Sequence, residues 1–499
     1  MLPNYKNLFI YPFLQIMKKS LFLSLLLTFL TTFNAWSQHS FRFHDGKFRI
    51  AQFTDIHWNA KSANCKQTSA IIQKVIQTEK PDIAILTGDI VTEQPAAEGW
   101  KSIIQIFENS HLPFVVVMGN HDAEVMSKKE IYQQLTASPY YAGCIGATNI
   151  TGYGNCSIPI YSSNKSSDQP AALIYCIDSN DYPQIKEYGA YDWIHFDQIQ
   201  WYRTESKRYT QTNGNKPLPA LAFFHIPLVE FKHVVARNDY LGGYGDGEVC
   251  SSNINSGMFA SFIDMKDVMG VFCGHDHDND YIGMEYDIAL GYGRVSGLDA
   301  YGKVDRGGRI IELYEGQRKF DTWVRTANKK EDTFYYPSAL TSKDERTMNY
   351  LPATSVKPSK QGVAYTYFEG KIKHTKDIHT LKKVESGTMK NFSISNAKQN
   401  DHFAYIFRAF IQIKERGVYR FYTYSDDGSK LLIDNQLVVD NDGGHSARRA
   451  EGKVALEPGF HEIEVRYFED YMGQTLDVGY SARNVTEQSI PSELLYLPK

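Results

Sequence analysis

The sequence predicts an α/β domain followed by an all-β domain, and three observations predict it. Between Phe48 and Arg325, short runs of apolar, β-forming residues alternate with amphipathic helical stripes, the pattern of strand–helix–strand units around a parallel sheet. Several of these runs end in Gly, Asp, Asn or His, at the carboxyl ends of strands where open α/β sheets place their chemistry. From about Gly362 the pattern changes to short alternating strands with turns, which reads as a separate β-sandwich of about 140 residues.

Phe48–Phe53 is the first strand, and it ends in Thr54-Asp55-Ile56-His57. An extended Asp-x-His aims both side chains to one side, because strand side chains alternate with period two. Ile71, Ile72, Val75 and Ile76 make a helical stripe that Pro81 closes. Ile83–Leu86 is the next strand, ending in Thr87-Gly88-Asp89. A second stripe, Trp100, Ile103, Ile104 and Phe107, leads to the buried strand Phe114–Met118 and to Gly119-Asn120-His121-Asp122. Two strand–helix crossovers in a row predict a parallel sheet with right-handed connections.

Residues 138–170 read as a loop rich in Gly, Ser, Asn and Tyr. Ala171–Ile177 resumes a strand that ends in Asp178-Ser179-Asn180, and residues 199–202 sit in a helix. Leu221–Phe224 is a buried strand ending in His225-Ile226-Pro227. Residues 238–257, rich in Gly and Asn, read as an active-site loop. Val268–Cys273 ends in Gly274-His275-Asp276-His277, another alternating pair. The first domain spans 41–325; residues 326–360, with three prolines, read as a linker or domain edge; the second domain spans 361–499. Within it Leu431–Ile433, Asp434-Asn435 and Leu437–Val439 read as a hairpin.

Composition narrows the function classes. Of 499 residues 22% are charged and the net charge is −4, so the chain is globular and offers no basic block for nucleic acid. Lys18-Lys19, an apolar run over Leu21–Phe33 and Ala35-Trp36-Ser37 form the three parts of an export signal over 1–37, with Met17 a possible internal start. The run is short for a membrane span, so the chain is expected to be secreted, extracellular or periplasmic, without an integral membrane anchor. Export permits disulfides. Cys144 and Cys156 are the best local pair, Cys65 and Cys250 a second, and Cys176 and Cys273 read as buried thiols.

The strand ends collect seven metal-ligand residues: Asp55, His57, Asp89, Asn120, His225, His275 and His277. That exceeds one catalytic zinc, which uses three ligands and an open position. It suits two ions about 3.5–4 Å apart that clamp a phosphoryl group, with imidazoles and carboxylates fitting iron, manganese or zinc. His121 is then free to protonate a leaving oxygen, oriented by Asp122 or another carboxylate.

Asp55-x-His57, Gly88-Asp89, Gly119-Asn120-His121-Asp122, His225 and Gly274-His275-Asp276-His277 together resemble the calcineurin-like metallophosphoesterase superfamily. Phe223–Pro227, Gly274–Asp280 and Tyr292-Gly293-Arg294 resemble its purple-acid-phosphatase-like branch. The resemblance implies a four-layer α/β/β/α sandwich. It implies one metal on Asp55, His57, Asp89 and His277, and another on Asp89, Asn120, His225 and His275, with Asp89 shared. A metal-bridging hydroxide would attack phosphorus in line, and His121 would be the general acid. Purple acid phosphatases carry a Tyr three residues after the bridging Asp, and its charge transfer to iron(III) gives the colour. Thr92 stands there in this chain, with His57 supplying a ligand instead, so the metals stay open.

Gly417–Ser429 and Val439–Gly443 resemble the protective-antigen-type β-sandwich. Some members bind glycans through calcium on an Asp-Asp pair, which here would be Asp426-Asp427. The expectation is a secreted phosphoesterase hydrolysing a phosphate-ester substrate, monoesters favoured, with a glycan-binding module. A phosphodiesterase, or an adhesion protein with a degenerate phosphoesterase domain, are the alternatives.

Overall fold

Period-two alternation decides what each strand buries, and in this chain it builds two facing sheets. The computed structural model describes residues 39–498; the export signal expected over 1–37 lies outside the described residues. The first sheet runs Leu340–Thr341, Phe334–Tyr336, Phe320–Thr326, Gly307–Tyr314, Lys47–Phe53, Ile83–Thr87, Phe114–Val117. The last three pair in parallel, and Gly307–Tyr314 pairs antiparallel to Lys47–Phe53. The second sheet has Pro170–Cys176, Ala220–Phe223, Val268–Cys273 and Ile288–Tyr292 in parallel at its centre.

Ile50, Ile83, Ile85, Val115 and Val117 point from the first sheet into a core shared with Ile174, Leu221, Phe223 and Phe272 of the second. The alternate residues Phe53, Leu86 and Val116 face outward, against Ile72, Val75, Trp100 and Ile103 of helices Cys65–Glu79 and Ala96–Asn109. On the far side Tyr175, Ala222 and Val271 pack on Tyr202, Phe259 and Phe262 of helices Phe196–Thr212 and Met258–Met265. The order is helix, sheet, sheet, helix: the four-layer sandwich. The carboxyl ends of both sheets' parallel strands open onto one edge.

Two expectations are corrected and one is narrowed. Residues 138–170 are not all loop, because Cys156–Tyr161 is a strand antiparallel to Pro170–Cys176. Its serine and proline hid a pattern in which Cys156, Ile158 and Ile160 alternate inward. Of the two readings of 326–360, linker or domain edge, the edge holds for its first half and the rest joins the second domain. Phe334–Tyr336 and Leu340–Thr341 extend the first sheet, whereas Tyr350–Leu351 pairs with Arg448–Leu456 of the second domain. The six cysteines are all free thiols. Cys65 donates to the Asn59 carbonyl and Cys250 lies against Asp276, so the proposed 65–250 pair has no common location. Cys144 faces Cys156 without a bond.

The second domain is a β-sandwich of two sheets around Phe407, Phe421, Leu431, Val465 and Tyr480. The hairpin forms as expected, between Ser429–Ile433 and Gln436–Asn441. Asp434 (φ 46°) and Asn435 (φ 64°) take its two left-handed turn positions. Tyr335 and Leu340 pack on Val418 and Ala455 where the domains meet, and Arg420 reaches Asp239 and the Ala339 carbonyl. Among the described residues, no helix is long and apolar enough to cross a membrane.

Candidate metal centre

The seven strand-end residues converge. Asp55, His57 and His277 offer ligand atoms within 4.8 Å of one another, and Asp89, His225 and His275 form a second such group. His57 Nε2 lies 3.8 Å and His225 Nε2 3.2 Å from Asp89 Oδ2, so Asp89 stands between the groups. Asn120 Oδ1 lies 3.2 Å from His225 Nε2, on the second side. Six of the seven are buried and His57 is half-buried.

The backbone is bent to bring them together. Asp55 (φ 50°), His57 (φ 44°), Asp89 (φ 52°) and His275 (φ 82°) all occupy the left-handed region. Non-glycine residues seldom adopt it, and such strain gathers where a site demands it. Asp122 ties the loops together. Its buried carboxylate accepts from the backbone N–H groups of Asp89 (3.0 Å), Ile90 (2.8 Å), Val91 (3.1 Å) and Gly119 (2.8 Å). It is therefore a brace and not the partner of His121. That partner is Glu124, whose Oε2 lies 2.9 Å from His121 Nδ1, while the His121 backbone N–H donates to Asp89 Oδ1 at 2.9 Å.

The donor set fits metal ions. His57 Nε2 and His275 Nε2 are buried and find no hydrogen-bond partner among the described residues. Burial foremost holds the His57 imidazole down at about 4 and the His275 imidazole at about 3, so both are neutral at physiological pH, the form a metal requires. Burial also opposes charge on His225, but the neighbouring Asp89 outweighs it and raises that imidazole to about 10. A proton there occupies a position an ion would take. In three of the four imidazoles the other ring nitrogen is held from behind: His225 Nδ1 by the Thr87 carbonyl at 2.8 Å, His277 Nδ1 by the Tyr301 carbonyl at 3.2 Å, and His57 Nδ1 by Thr92 Oγ1 at 3.3 Å; His275 instead turns Nδ1 into the group, 3.2 Å from His225 Nε2. Such partners fix which nitrogen faces a metal. Thr92, where purple acid phosphatases carry a tyrosine, is thus a support for His57.

Aromatic rings rim the opening. Tyr301 stacks on His277 with centroids 3.8 Å apart, and Tyr191 meets His275 edge-on at 4.4 Å. Loop 238–257 is pinned beside the cluster. Gly243 N–H donates to Asp280 Oδ1 and Cys250 N–H to Asp276 Oδ2, which gives the acidic residues between and after His275 and His277 a structural task.

In the second domain Asp426 and Asp427 come together with Glu469, all within 4.8 Å. Asp427 accepts from the backbone N–H of His445 and of Asp470, both at 2.8 Å. Glu469 Oε1 is buried without a partner among the described residues. Oxygen-only donors of this kind fit calcium. The sequence reading named neither Glu124, Tyr301 nor Glu469, and gave Thr92 no role. Glu124 alone left a signal, one helical turn after His121.

The calcineurin-like phosphoesterase family model matches residues 48–279, and the PA14 domain model matches residues 359–494. A relative from Arabidopsis thaliana, "Probable inactive purple acid phosphatase 29", is 31% identical over 56% of this chain and 80% of its own. The chain belongs to the calcineurin-like phosphoesterase family. "Phosphatase DCR2" of Saccharomyces cerevisiae is 27% identical over 59% of this chain and 56% of its own. A dimetal phosphatase structure from Danio rerio aligns with 58% of this chain and 99% of its own at 12% identity and a TM-score of 0.42. This calcineurin-like phosphoesterase carries a C-terminal PA14 domain, so its protective-antigen-type module is a PA14 fold.

Proposed function

We propose that the protein is an exported phosphomonoesterase using two transition-metal ions, with a C-terminal module that binds glycan through calcium. The observation that carries the reading is the pair of buried ligand groups flanking Asp89, with the neutral His57 Nε2 left without a hydrogen bond beside it. Asp55, His57 and His277 would hold one ion, Asn120, His225 and His275 the other, and Asp89 both. Such an ion pair, when bound, supplies charge to clamp phosphoryl oxygens and activates a water.

The chain's own residues do the rest. His121 stands beside His57 with ring centroids 5.9 Å apart and its side chain 41% exposed. With Nδ1 held by Glu124, Nε2 is the atom that would deliver a proton to the departing ester oxygen. The Tyr191 and Tyr301 rings crowd the cluster from two sides, which supports a substrate with one ester arm over one with two. The name of the Arabidopsis relative calls that protein inactive; the seven ligand-type residues gathered in this chain support activity here. Export rests on the pattern at Lys18–Ser37, and glycan binding on the Asp426–Asp427–Glu469 cluster.

The test is hydrolysis of a nitrophenyl monoester and a bis-nitrophenyl diester by protein lacking residues 1–37, with manganese, zinc, iron or none, beside His121→Ala. Metal-dependent monoester turnover that falls about 10²–10⁴-fold in His121→Ala, the span of general-acid contributions, supports the reading. Turnover of the diester alone moves it to a phosphodiesterase. Absence of metal uptake and of turnover leaves the binding protein.

A further inference from the structure

A polar relay joins the two sides of the site through a residue outside both ligand groups. Glu124 Oε2 lies 2.9 Å from His121 Nδ1, and Glu124 Oε1 lies 2.8 Å from the Tyr182 hydroxyl. The same hydroxyl lies 3.0 Å from Asn120 Nδ2, while Asn120 Oδ1 faces His225 Nε2 at 3.2 Å. Tyr182 comes from a different loop, 58 residues beyond Glu124 in the chain. That loop is fixed by Lys128, whose buried ammonium lies 2.9 Å from Asp178 Oδ2 and 2.9 Å from Asp181 Oδ1, next to Tyr182.

The direction of each hydrogen bond follows from chemistry. An ionised carboxylate only accepts, so the Tyr182 hydroxyl spends its one proton on Glu124. Its oxygen can then only accept from Asn120, which must turn its NH₂ outward. The amide oxygen is left pointing inward, at His225. The same carboxylate accepts from His121 Nδ1, which leaves His121 Nε2 toward the opening. An asparagine amide is otherwise free to turn either end to a ligand cluster, and only its oxygen can ligate a metal.

We infer that Tyr182 is a positioning residue that sets the polarity of the Asn120 amide as a metal ligand and shares with His121 the carboxylate of Glu124. The inference rests on the dinuclear reading above and adds a residue that none of the ligand motifs contains.

The test is calorimetric titration of the metal-free full chain with manganese, comparing native protein, Tyr182→Phe, Asn120→Asp and the double variant. Tyr182 is 44% exposed and loses only its hydroxyl, so folding is expected to survive, and thermal melts check this. In Tyr182→Phe one of two sites should weaken about 10–100-fold, the usual effect of removing a partner behind a ligand, with the other unchanged. In the Asn120→Asp background the same change should shift affinity less than about threefold on the same scale, because a carboxylate presents an oxygen either way round. Equal weakening in both backgrounds would show a merely structural hydroxyl and overturn the inference, as would native affinity in Tyr182→Phe. No manganese uptake by native protein would remove the dinuclear reading itself, and this inference with it.

Discussion

Gly119 and Asp89 touch so closely that Gly119 has no room for a side chain: a β-carbon there would lie 2.2 Å from Asp89 Oδ1 and 2.3 Å from the Asp89 nitrogen. The strand end at Met118 therefore has to be followed by glycine if the shared carboxylate is to stand between the two ligand groups. Gly119→Ala should push Asp89 out of place, lower bound metal per chain and destabilise the first domain by about 1–3 kcal/mol, the usual cost of overpacking. Metal analysis and thermal melts check this. Native metal content in Gly119→Ala would contradict it.

Most of the first domain was legible because buried parallel strands read as apolar runs, and Ile83–Leu86, Phe114–Met118 and Val268–Cys273 are such runs. The ligand-type residues were legible because they stand at strand ends. Cys156–Tyr161 was not, since Ser157 and Pro159 occupy its outward positions and dilute the alternation. Tyr182 and Glu469 escaped for another reason. Each acts through a partner from a distant loop or strand, as Tyr182 does on Asn120, and no local spacing records such a meeting. Asp122 misled because its adjacency to His121 suggested a pair, whereas the turn at Gly119 points its carboxylate back onto four backbone N–H groups.

The second domain carries a pH-sensitive contact at His461. Burial opposes its charge, but Asp434, with Oδ2 at 2.6 Å from Nδ1, raises it above the ordinary 6.5. The protonated form is favoured by folding, so this contribution is complete below pH 6.5 and is lost as pH rises through the raised native value. The melting temperature of the second domain, with calcium saturating, should fall across that window. His461→Gln should flatten the slope there; an unchanged slope would contradict the assignment.

Calcium should act through Glu469. Burial foremost, then the neighbouring Asp427, raises its carboxyl to about 8. The unfolded chain releases this proton near 4.5 and the native one near 8, so without calcium stability falls as pH rises between them. Calcium favours the ionised form, and its stabilising shift should therefore grow across the same interval. Melts with calcium or with chelator measure this directly. A calcium shift that is absent, or that survives Asp427→Ala, would contradict a site at this cluster.

A dinuclear centre built on Asp89 is tested by metal content and nitrophenyl phosphate turnover measured on the same preparations of native protein and Asp89→Ala. Native protein should hold close to two ions per chain and show metal-dependent turnover, and Asp89→Ala should lose both, since Asp89 stands between the two ligand groups. Full turnover by Asp89→Ala, or turnover by native protein stripped of metal, would contradict it.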